Sequence, residues 1–123
     1  ASIDGTGEIG EYIRTGLDYK QWFKNMQYAR KFVKHPRQLQ LDLTVTLPGL
    51  FDLENMYKLS KELKVPLLCK KVFSFTNDLL LSPLCLPRDI LEEIVSEVQN
   101  KITDKPNVFN MVLFAGFVMN FKI

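Results

Sequence analysis

From Gln38 to Leu47 apolar and polar residues alternate without a break. Leu39, Leu41, Leu43, Val45 and Leu47 fall on one side of a period of two, with Gln38, Gln40, Asp42, Thr44 and Thr46 on the other. The pattern predicts a strand with one apolar and one polar face, stopped by Pro48-Gly49. Upstream, Trp22, Phe23, Met26, Ala29, Arg30 and Val33 recur at helical spacing behind Asp18, whose partner three residues on is Gln21, in the manner of a capping box. This helix is expected to end at His35-Pro36. Downstream, Asp52 is placed to cap a second helix with Leu53, Met56, Tyr57 and Leu63 inward, closed by Val65-Pro66.

Leu67 to Phe73 reads as a second, more buried strand, and Ser74 to Leu86 as a loop. Pro87 suits the start of a third helix whose Ile90, Leu91, Ile94, Val95 and Val98 face a core. Asp89, Glu92 and Glu93 lie near its start, where the helix dipole favours acids. Lys105-Pro106-Asn107 is a turn into a last apolar run. The order helix, strand, helix, strand, helix, strand predicts an α/β fold with a parallel sheet. Parallel sheets usually bury both faces, so the polar face of Gln38 to Thr46 stands out. It fits a strand lining a cavity or ligand site, or an edge strand with one wet side.

The 123 residues make one domain, with 46% hydrophobic and 24% charged residues, an ordinary globular composition. A net charge of +2 is too small to call for nucleic acid by bulk electrostatics, and no nucleic-acid partner is expected. From Asp18 to Arg37 six basic residues face one acid, as in a solvated outer helix face or a basic surface for phosphates. Two cysteines, Cys69 and Cys85, and one histidine, His35, exclude a disulfide-dense scaffold and a His-rich metal site. Cys69 and Cys85 read as small buried hydrophobes. No hydrolase triad or carboxylate pair stands out. The first twenty residues show no secretory pattern, and Val108 to Met119 is shorter than the roughly 20 apolar residues of a spanning helix. A cytoplasmic chain without membrane contact is expected, with residues 105–123 an apolar strand or the start of a C-terminal extension.

Gly5-Thr6-Gly7-Glu8-Ile9-Gly10 spells the dinucleotide fingerprint G-x-G-x-x-G. That motif works after a strand and before a helix, with an acid about 20 residues on. Here only Ile3 is available for the strand, Gly16 interrupts the helix, and Asp18 and Asp42 sit at the wrong distances. Glu8 and Glu11 add negative charge where a phosphate would lie, so the match is not read as a nucleotide site.

Ser2-Ile3-Asp4-Gly5, continued by Glu11-Tyr12-Ile13-Arg14 and the Trp22 helix, resembles the radical S-adenosylmethionine (radical SAM) superfamily, within it the proteins with a twitch or SPASM-type extension. In that family the S-x-D-G element closes the fourth strand of a (β/α)6 partial TIM-type barrel. The resemblance implies that residues 1–104 are the C-terminal half of such a barrel, the cluster-binding N-terminal half lying in the same or a separate chain. It implies S-adenosylmethionine and a [4Fe–4S] cluster as cofactors of the complete enzyme, which forms a deoxyadenosyl radical that abstracts hydrogen from a substrate, with peptide as a candidate. It further implies that Ser2 and Asp4 hydrogen-bond the ribose or methionyl part, that Thr44 and Thr46 point toward the same ligand, and that main-chain groups from Val72 to Phe75 lie near adenine. Arg14 is expected to pair with the methionyl carboxylate or to form an outward salt bridge. The chain has no C-x-x-x-C-x-x-C run, and Cys69 and Cys85 lie sixteen positions apart. This chain alone is therefore expected to bind no cofactor and carry out no radical chemistry. A second expectation, from another class, is a non-catalytic α/β interaction module or decayed remnant that docks through its apolar C-terminus.

Overall fold

A computed structural model describes residues 1–35, 38–71 and 82–102. In these residues the chain is α/β, with two parallel strands and five helices. Helix α1 spans Gly7–Ile13, α2 Tyr19–Arg30, β1 Leu41–Val45, α3 Leu47–Leu50, α4 Leu53–Leu63, β2 Leu67–Lys71 and α5 Arg88–Ile102. A short 3-10 turn, Pro83–Cys85, precedes α5. The apolar run after residue 102, the end of the second strand beyond Lys71 and most of the loop to Leu86 lie outside the described residues.

Strand β1 pairs with β2 in parallel register, Leu41 opposite Leu67 and Val45 opposite Lys71. On its other side, Ser2 bridges Asp42, also in parallel. There the Ile3 amide donates to the Asp42 carbonyl at 3.1 Å, and the Asp42 amide to the Ala1 carbonyl at 2.7 Å. Three consecutive segments thus lie side by side in chain order with β1 in the middle. Among the described residues, main-chain pairing on that side is confined to this one bridge, at the start of β1. Ile3, Leu41, Leu43 and Val45 have no exposed surface and Leu67 has 1%, and they join Leu53, Met56, Leu91 and Val95 in the core. Each such side chain contributes about 1.5–3 kcal/mol by leaving water.

The capping expectation holds at α2, where the Gln21 amide donates to Asp18 Oδ1 at 2.9 Å. The helix ends earlier than His35, however. The amides of Lys31, Phe32 and Val33 donate three residues back, to Tyr28, Ala29 and Arg30, which tightens the last turn before the proline is reached. Strand β1 is also shorter than its alternation suggests. Leu47-Pro48-Gly49-Leu50 forms the helical turn α3 with proline in its first turn, so Pro48 starts a helix as well as stopping a strand. In α4 the expected Leu53, Met56, Tyr57 and Leu63 are all buried. Lys64, in the left-handed region at φ 54°, ends it; its amide donates to the Lys61 carbonyl and that of Val65 to Ser60. In α5, Leu91 and Val95 are buried, but Ile90 is 43% exposed, one helical position off the core-facing stripe.

Candidate functional site

Side chains of parallel strands alternate between faces, and here the faces differ in kind. Opposite the buried row lie Ser2, Asp42, Thr44, Leu68 and Lys70; Ser2 and Lys70 are exposed and the other three half-buried. The Lys70 ammonium donates to Asp42 Oδ2 at 3.0 Å, while Asp42 Oδ1 is buried without a hydrogen-bond partner. At the carboxyl ends of the strands, where open α/β sheets take their ligands, the chain turns into α1 and α3.

Asp4 organises that end. The residue is 7% exposed, its Oδ1 accepts from the Thr44 amide at 3.2 Å, and its Oδ2 takes the Arg14 Nε–H in an ion pair. Arg14 therefore closes onto the chain's own Asp4, with its side chain still 43% exposed. Thr46 is buried, and its hydroxyl accepts from the Gly49 amide at 3.2 Å, which caps α3. A Cβ on Gly49 would lie 2.8 Å from the Asp4 carbonyl, so only glycine lets the turn approach this closely. Asp4, Arg14, Thr44 and Thr46 thus meet in one place. Ser2 sits further down the same face with its side chain exposed.

Around the glycine-rich segment, Thr6 gives both its amide and its hydroxyl to the Asp52 carboxylate, the hydroxyl at 2.9 Å from Oδ2. Asp52 is 1% exposed and also accepts from Asn55 Nδ2 at 2.8 Å. A carboxylate thus already occupies the place a phosphate would need. Gly10 serves packing, since a Cβ there would come within 2.3 Å of the Gly5 carbonyl. Next to this group the Tyr19 phenol is pushed above its ordinary pKa, by burial first and then by the charges of Asp52 and Glu62.

No family model, curated protein or solved structure matches this chain.

Among the described residues no three His, Cys, Asp or Glu side chains gather to hold a metal ion. Cys69 packs against the core, and burial raises its thiol far above the ordinary value, which disfavours the thiolate an iron ligand requires. Cys85, read from sequence as buried, is exposed in the 3-10 turn. The donor set here does not fit a [4Fe–4S] cluster. No described helix is long and apolar enough to cross a membrane. Sequence reasoning missed the structural weight of Asp52, which bonds to Thr6 across 46 positions, and the Asp42–Lys70 pair. The latter was signalled by opposite charges on two predicted strands, but only the register brings them together.

Proposed function

We propose that this chain is the C-terminal part of a radical SAM partial barrel that lines the S-adenosylmethionine site, with the cluster-binding half supplied by other residues. One observation carries the reading. Three consecutive parallel segments present a face with Ser2, Asp42, Thr44 and Lys70 on it, broken only by Leu68, while their opposite face is packed into the core. In a closed barrel the helix-covered side lies outside and the ligand is taken at the carboxyl ends of the strands, so polar groups on the inner side suit a ligand held there.

The residues divide the work. The Ser2 hydroxyl, the Thr44 hydroxyl and the Asp42–Lys70 pair are the groups placed to meet a ligand that carries hydroxyls together with an ammonium and a carboxylate. Asp4 and Arg14 satisfy each other and hold the turn after the first segment against Thr44. Thr46 holds the turn after β1. S-adenosylmethionine held on this face would bring the chemistry of hydrogen abstraction, with the reducing cluster held by other residues. No iron ligand comes from the residues described above.

The test is the coding sequence on either side of residues 1–123, expressed with them under anaerobic conditions with iron and sulfide. The proposal expects a C-x-x-x-C-x-x-C run, a brown protein, and cleavage of S-adenosylmethionine that falls in Ser2→Ala and Thr44→Val. A flanking sequence with no three-cysteine run, and no iron in the product, sinks it.

A further inference from the structure

The outward face of α2 carries its own chemistry, independent of the sheet. Met26 is buried and Trp22 and Phe23 pack on the core, so the helix has already committed its apolar stripe. Yet Tyr28 and Phe32, on the opposite side, are 64% and 65% exposed. Their rings meet edge to face with centroids 5.0 Å apart. Helical spacing puts Lys24 and Lys31 on one flank of Tyr28 and Gln21 and Asn25 on the other. All four are exposed, and neither lysine has an acidic partner among the described residues. Gln21 Nε2 donates to Asn25 Oδ1 at 2.9 Å. That bond leaves the Gln21 carbonyl and the Asn25 amide N–H as an adjacent acceptor and donor.

We propose that this face binds single-stranded nucleic acid. Lys24 and Lys31 track the phosphates, Tyr28 and Phe32 take a base by stacking, and the Gln21–Asn25 pair meets a base edge. Three observations favour this occupant. The charge is local, since Lys20, Lys24, Lys31 and Lys34 are all exposed in a segment whose one acid is Asp18, so a net charge of +2 for the whole chain does not speak against it. The cations are lysines, which protein–protein interfaces avoid and phosphate backbones accept. On this face the exposed apolar area is two rings, enough for base stacking but little for insertion into a bilayer, where affinity grows with buried apolar area.

Fluorescence anisotropy of labelled oligodeoxythymidine with the full chain tests it. Binding is expected to weaken with salt at a log–log slope of about −1.4, two phosphates at about −0.7 each. The Tyr28→Ala/Phe32→Ala double variant is expected to lose at least about ten-fold in affinity. Tyr28→Phe is expected to retain binding, and circular dichroism confirms the fold of each variant. Should the double variant prove unfolded, Lys24→Gln/Lys31→Gln, with a flatter salt slope expected, decides in its place. The proposal is overturned by no oligonucleotide binding, by unchanged affinity in the folded variants, by equal affinity for duplex DNA, or by capture on phosphatidylserine vesicles without oligonucleotide binding.

Discussion

Leu43 and Thr44 are neighbours in β1, yet Leu43 has no exposed surface and lies among Leu53 and Met56 of the core, whereas Thr44 is half-open and takes Asp4 on its amide. The same contrast runs across all three parallel segments, Ile3 against Ser2 and Leu67 against Leu68. One face holds the domain together by excluding water; the other retains groups that can exchange water for a ligand. A single-residue slip in register would swap the two, which is why the alternation in β1 constrains both stability and site.

The largest test of that contrast is Leu43→Ala beside Thr44→Ala. The first should cost about 2–5 kcal/mol in denaturant unfolding. The second should stay within about 0.5 kcal/mol, as at exposed positions, because Asp4 bonds to the Thr44 main chain. Equal losses would erase the distinction between the faces. A smaller effect is expected where the site meets the packing. Gly10→Ala pushes a methyl against the Gly5 carbonyl and should cost about 1–3 kcal/mol, read from the shift of the same unfolding midpoint.

The smallest effect lies at the surface joining α4 to α5. Glu54 sits below the ordinary carboxylate pKa because Lys58 and then Lys101 hydrogen-bond it. A pKa depressed on folding gives stability that is complete above the unfolded value and is lost as pH falls through the lower folded one. Wild type and Glu54→Gln should therefore differ slightly near neutrality and converge in acid when unfolding is followed against pH. A gap that widens in acid would refute the assignment.

How much of this was legible in the sequence follows from range. The alternation from Leu41 to Val45, the Asp18 cap and the inward residues of α4 depend on neighbours a few positions away, and they read correctly. The α3 turn was hidden because Pro48-Gly49 carries the same signal whether the chain turns or begins a helix. Asp52 read as an ordinary helix cap, but it accepts no bond from its own helix's main-chain amides and serves Thr6 and the Asn55 side chain instead. The glycine fingerprint misled in the same way, since Gly10 answers to a carbonyl five positions away rather than to a phosphate. Of the candidate site, the polar face was legible from its period, while the closure of Arg14 onto Asp4 needed the fold.

The bridge at Ser2 has a consequence for motion. β1 and β2 share a five-residue ladder, whereas the first segment meets β1 through two main-chain bonds at Asp42, the Asp4 carboxylate on the Thr44 amide and the buried Ile3 side chain. Opening the first segment costs those few bonds and the burial of one core side chain, whereas parting β1 from β2 costs the whole ladder and several. This segment should therefore part from β1 more often than β2 does, exposing Ile3 each time. Amide hydrogen exchange would show it as faster loss of protection at Ile3 than at Leu41, whose amide is tied to Pro66 at 2.8 Å. Each such opening would withdraw Ser2 from the polar face, so the site would be assembled only for the fraction of time that this segment spends in the sheet.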